Sequence, residues 1–150
     1  MRRAWVRQAG DGLPPFPPLR NLEIRAPTMP KAVIAQRIGP YNEVLELVEM
    51  PPMTPLPEGT LHVRVAAGGM GFPDLLQVEG KYQTKAEPPF VPVMYVAGEI
   101  IGIGPGVDPN EWKVGERVVG NSAEGPAGKM CGGLAEEALL RADVTFKIPD

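Results

Sequence analysis

From residue 30 onward the apolar positions follow a β rhythm. The run "LHVRVAA" (61–67) sets Leu61, Val63 and Val65 on one face and His62 and Arg64 on the other. A period of two with β-branched residues marks a half-buried strand, with the polar pair facing solvent. "KAVIAQR" (31–37) is short and β-leaning, and "EVLELVE" (43–49) alternates in part. "MYVAGEIIGI" (94–103) is a long strand whose interior Gly98 predicts a bulge or a close backbone approach. "ERVVG" (116–120) and "VTFKIP" (144–149) read as further short strands. "LAEEALL" (134–140) has helix-forming residues in a β context, so both states stay open. "PDLLQVEGKY" (73–82) has room for one or two helical turns, with Pro73 suited to the first. "MPPMTPLPEGT" (50–60) cannot be helix. Many short strands joined by turns predict a barrel or a sandwich.

The prolines and glycines sharpen this picture. There are 19 and 18 of them among 150 residues, and they punctuate Val/Ile-rich runs without forming repeats. They therefore read as turn residues of one strand-rich domain. Residues 1–28 differ, with frequent arginine, few acids and the pairs Pro14-Pro15 and Pro17-Pro18. They read as a disordered extension ahead of a domain spanning 29–150. Mitochondrial targeting is the alternative for them, and a cytoplasmic protein the default expectation.

Charge and cysteine content remove whole classes of function. A formal net charge of -3 offers no basic field for nucleic acid or anionic lipid. No apolar run approaches the roughly 20 residues of a membrane helix. One cysteine, Cys131, and one histidine, His62, fall short of a four-ligand zinc site and exclude an intrachain disulfide. His62 is expected to be solvated. Cys131, in the glycine-rich "GKMCGG", is expected to be an exposed but ordinary thiol.

"GIGPGV" (102–107) raises the possibility of a phosphate-binding loop. A dinucleotide fingerprint needs G-x-G-x-x-G opening a helix. Here the sixth position is Val107, and Pro105 and Pro109 interrupt the segment that would be helical. The stretch is therefore expected to be a turn between strands.

The order of segments then carries a resemblance. "KAVIAQRIGPYNEVLELVEMP", "GTLHVRVAAGGMGFPDLLQVEGKY", "PPFVPVMYVAGEIIGIGPGV", "WKVGERVVG" and "GGLAEEALLRADVTFKIPD" occur in sequence. Together they resemble the N-terminal, GroES-like domain of the medium-chain dehydrogenase/reductase superfamily, in its zinc-free quinone oxidoreductase branch. The resemblance implies a mainly β fold with short helices, a partly open barrel. It implies NADPH as cofactor, with hydride passing to a quinone or an enone. In the family a Rossmann domain follows the segment matching "FKIPD", so that domain is expected to be absent here. The domain is then expected to be incomplete at its C-terminal end and inactive alone. It would need a Rossmann partner, or it would self-associate through the apolar surface around "GMGFPDLL" and "MYVAG".

Residue by residue, the resemblance puts the ligand positions of zinc-containing members at Gly71, Met94 and Tyr95, none of which suits zinc. The quinone reductases' usual asparagine falls at Gly71, a glycine of theirs at Val93 and an acid at Tyr95. These departures open an alternative, a non-catalytic binding or regulatory module that keeps only the barrel. Gly71, Phe72, Asp74 and Tyr95 are expected to line the substrate cleft, with Phe72 as an apolar wall. Tyr82 is the candidate catalytic donor to a carbonyl oxygen, or else a rim tyrosine. Asp74 is equally suited to stabilising the start of a helix.

Overall fold

A computed structural model describes residues 29–125 and 129–149; the extension assigned to residues 1–28 lies outside them. The first unit is a hairpin of β1 (Lys31–Ala35) and β2 (Leu45–Glu49), paired antiparallel from Lys31↔Glu49 to Ala35↔Leu45. Its connection carries a single helical turn, α1 (Tyr41–Val44), which follows Pro40 and buries Val44. The expected strand over 43–49 thus starts at Leu45. Glu43 and Val44 complete the turn, and Gln36 N–H closes on Val44 O at 3.1 Å.

Four longer strands form the barrel: β3 (Thr60–Gly69), β4 (Tyr95–Ile103), β5 (Arg117–Ser122) and β6 (Glu137–Lys147). All neighbours are antiparallel, and β6 returns to β3. β6 serves two seams. Glu137–Arg141 pair with β3, and Thr145, Phe146 and Lys147 pair with β5. Between Gly120↔Thr145 and Ser122↔Leu140 the strands part, because β6 runs through residues 141–144 while β5 spends only Asn121. The ring is therefore partly open at that seam, as expected for this fold class.

Alternation explains the core. Leu61 and Val63 of β3, Val96 and Ile100 of β4, Val118 of β5, and Ala138 and Leu140 of β6 turn inward, and Trp112 plugs one end. Leu139 points the other way yet is also fully buried, against Met53, Ala123 and Cys131. Burial on both faces accounts for the ambiguous "LAEEALL". Its continuous apolar run is a strand by environment, overriding helix-leaning composition. At Gly98 a Cβ would stand 2.2 Å from Arg64 O, beside the register break at Val65/Ala67. That is the close approach expected at this position.

The glycine stretch makes a turn. Ile103 ends β4, Gly104 lies against Pro57 O and Thr60 O, and Pro105 O accepts from Gly59 N–H at 2.8 Å. Gly106 takes φ +77, and no helix follows before β5. The expected turn is present, within a longer connection over residues 104–116.

Candidate functional site

The site is organised by one buried carboxylate. α2 (Phe72–Val78) follows β3 at once, with Gly71 as its extended N-cap and Pro73 in its first turn. Glycine has no side chain to cap the helix, so the capping comes from inside. Asp74 accepts Gly71 N–H at 2.7 Å through one carboxylate oxygen and Met94 N–H at 3.0 Å through the other. Asp74 is 4% exposed. An ionised acceptor at a helix start gains from the free N–H groups and the macrodipole there. Met94 O in turn accepts Ser122 N–H at 2.8 Å. One chain of hydrogen bonds thus ties α2 through Met94 to the end of β5.

The segment before Met94 is tightly held. Gly132 N–H donates to Val91 O (3.1 Å), and Gly133 N–H donates to Val93 O (2.8 Å). A Cβ on Gly132 would come within 2.2 Å of Pro92 O. Val93 itself adopts φ +77 while almost wholly buried. That is a left-handed conformation, costly for a β-branched residue. It is the position where the resemblance places a glycine.

Above this frame lies an exposed apolar rim. Phe72 is 71% exposed, Tyr95 58% and Met70 51%. Tyr95 pairs with Gly69 on one side and Asn121 on the other. The structure therefore brings Gly71, Phe72, Asp74 and Tyr95 together. Asp74 has both oxygens committed to backbone N–H groups, which makes it a positioning residue. Tyr82 sits half-buried past the other end of α2, its N–H on Leu76 O at 3.2 Å. It is separated from Gly71 by the helix length, roughly 10 Å.

A separate open cavity of 1460 Å³ runs along the β5–β6 seam and meets the Asp74 frame at Met94; Gln77, Asn121 and Ser122 also line it. Two of these residues escaped sequence reasoning. Among the described residues, Gln77 Oε1 and Ser122 Oγ are buried with no hydrogen-bond partner. The signal for Gln77 was its spacing, three residues beyond Asp74 on one helix face. Ser122 gave none, because its burial depends on where β5 parts from β6.

Two expectations need correction. His62 is not solvated: its side chain is 16% exposed and its Nε2 lies 2.8 Å from Glu137 Oε2 on the adjacent strand. The diagonal carboxylate draws the ring onto the sheet. Cys131 is buried, not exposed, and burial pushes its thiol pKa up, opposed by a backbone hydrogen bond from Gly125. Lys129, the neighbouring cation, is engaged with Glu87 at 2.9 Å. The hydrogen bond from Lys129 holds the Glu87 carboxyl below its usual range. Among the described residues no group of three or more His, Cys, Asp or Glu is placed to hold a metal ion.

Comparison with known proteins gives this geometry its family. Residues 57–150 match the alcohol dehydrogenase GroES-like domain. A quinone oxidoreductase-like protein 2 homolog from Nematostella vectensis is 41% identical over 93 residues, covering 61% of this chain and 23% of that protein. The human synaptic vesicle membrane protein VAT-1 homolog is 31% identical over 121 residues, covering 80% of this chain and 28% of its own. Among solved structures, a mycobacterial protein complexed with NADPH superposes with a TM-score of 0.64 at 31% identity, covering 81% of this chain and 34% of that one. The chain thus spans about a quarter of the length of these curated relatives. The ordered barrel, the α2–Met94 frame and these matches agree: the chain belongs to the alcohol dehydrogenase GroES-like domain family, as an N-terminal domain of the medium-chain dehydrogenase/reductase superfamily in its quinone oxidoreductase branch.

Proposed function

We propose that this domain forms the acceptor-side wall of an NADPH-dependent reductase that delivers hydride to a quinone or to the β-carbon of an enone. The observation that carries the reading is the exposed rim of Met70, Phe72 and Tyr95 on the backbone that Asp74 holds through Gly71 and Met94. A flat aromatic acceptor suits such a rim, where Phe72 and Tyr95 supply apolar area and exclude water.

The fit to the cofactor is divided. A planar nicotinamide ring suits the same rim, and NADPH supplies the hydride when bound. The pyrophosphate needs a glycine-rich loop opening a helix. The described residues offer none, since "GIGPGV" leads into a connection between strands. In this reading the cofactor's phosphates are held by a nucleotide-binding domain that covers the rim, and the 150-residue chain alone is inactive. In this reading Tyr82 reaches back along α2, from its place past the far end of the helix, to lend its phenolic O–H to the acceptor's carbonyl oxygen as negative charge develops there. No metal assists, because Gly71, Met94 and Tyr95 stand where the zinc-containing members carry their ligands.

A non-catalytic binding module is the second reading. It is favoured by Gly71, which lacks the amide that family members use, and by the strained Val93. Both readings keep the acceptor site, so the first test is binding. Titrating menadione into the isotope-labelled chain should shift the amide resonances of Met70, Gly71, Phe72 and Tyr95, while NADPH should bind more weakly than micromolar. Menadione shifts confined to other faces of the barrel would refute the acceptor-wall reading.

A further inference from the structure

Buried polar side chains are nearly always hydrogen-bonded, and an orphaned one is destabilising. Two such atoms, Gln77 Oε1 and Ser122 Oγ, border the same cavity. Gln77 is 5% exposed and shares the inner face of α2 with Asp74. Ser122 is joined through its N–H to Met94 O, and Met94 N–H is joined to Asp74. The two orphans therefore flank Met94 on a hydrogen-bonded frame. The same cavity is lined by Met94, Ala123 and Met130, which are apolar, and by polar and charged residues such as Asn121, Lys85 and Glu124.

We infer that Gln77 and Ser122 form a polar specificity pocket, beside Met94, for an acceptor that carries a hydroxyl substituent in addition to the carbonyl that is reduced. This rests on the acceptor-wall reading and adds a residue-level selector to it. The chemistry follows from the donor and acceptor capacities. Gln77 Oε1 accepts only, so it requires a ligand O–H or N–H. Ser122 both donates and accepts, so it completes a ligand hydroxyl from the other side. Met94 stands between the two features, so the ring stays on the rim of Phe72 and Tyr95 while its hydroxyl-bearing arm enters the cavity. A site that buries unpaired polar groups rejects an analogue lacking the matching group more strongly than an apolar pocket discriminates shape.

The test compares hydroxymethyl naphthoquinone with its methyl ether, which keeps the ring and removes the donor. Binding is followed by amide shifts in the 150-residue chain. The hydroxyl compound should bind about 10-fold tighter, the worth of roughly one buried neutral hydrogen bond. Gln77→Leu, close in volume, should abolish that preference without weakening the ether, and should raise the melting temperature by removing an orphaned acceptor. Ser122→Ala should reduce the preference in the same direction. Equal affinities in the wild-type chain overturn the polar pocket and leave the acceptor wall standing. So does a preference that survives both substitutions, or a pair of ordered waters that neither ligand displaces. Failure of both quinones to perturb Phe72 or Tyr95 removes the acceptor wall, and the pocket with it.

Discussion

At Val93 a backbone suited to glycine carries a β-branched side chain, at φ +77 and almost fully buried. The carbonyls of Pro92 and Val93 are wedged against Gly132 and accept from neighbouring N–H groups, so the chain cannot relax toward an extended form. The strain sits next to Met94, which frames the candidate pocket. Removing the side chain loses burial in any variant, so the informative comparison is between two small residues. Val93→Gly should be more stable than Val93→Ala by about 1 kcal/mol in urea denaturation, reversing the usual order. The more familiar order, alanine above glycine, would show that the left-handed backbone is not held. Cys131 gives a second test. Its thiol pKa is raised by burial, so the folded state keeps a proton that the unfolded chain releases. Its contribution is full below the ordinary thiol pKa of 9.0 and is lost as pH climbs through that value toward the folded one. Cys131→Ala should flatten the loss of stability on the alkaline side, as thermal melts across that range would show. An unchanged alkaline slope would contradict the buried thiol.

At the level of elements, seams and close approaches decide what the barrel tolerates. Gly98 and Gly69 both lie in the β3–β4 pair, yet their surroundings differ. A Cβ at Gly98 would press into Arg64 O at 2.2 Å, whereas one at Gly69 would meet Tyr95 Cβ at an ordinary 3.6 Å. Gly98→Ala should therefore cost more than about 2 kcal/mol, and Gly69→Ala should stay within about 1 kcal/mol, both measured by urea denaturation. Comparable costs for both would mean that the β3–β4 register is wrong. Gly98 was legible in the sequence because an isolated glycine inside a long apolar strand marks a bulge or a close backbone approach. β3 was legible because its alternation is strict. "LAEEALL" was not, since two-sided burial erases alternation and leaves only composition. Asp74 was half legible: its helix-start role follows from its place after Gly71 and Pro73. Its second bond, to Met94, depends on how residues 91–94 fold back onto Gly132 and Gly133. Cys131 and His62 were misread because local sequence does not show Leu139 and Met53 over the first or Glu137 beside the second.

For the molecule as a whole, the outer surface of the barrel is unusually apolar along one rung. Ala67 pairs with Ala97, Ala97 with Val119, and Val119 with Phe146, so one row of side chains crosses all four strands. Phe146 is 69% exposed at its end. The neighbouring rung, Gly69–Tyr95–Asn121, leads to the rim of Phe72 and Met70. Contiguous apolar surface of this kind is a candidate docking face, which the proposed function assigns to a nucleotide-binding domain. The sharpest test of the acceptor wall supplies that domain. Residues 29–149 would replace the matching segment of the mycobacterial relative solved with NADPH, and cofactor consumption would be followed with menadione. An acceptor wall with Tyr82 as its proton donor predicts menadione-dependent NADPH consumption, lowered about 10- to 100-fold in kcat by Tyr82→Phe with KM little changed. A folded chimera that binds NADPH and consumes none of it in the presence of menadione would contradict that role.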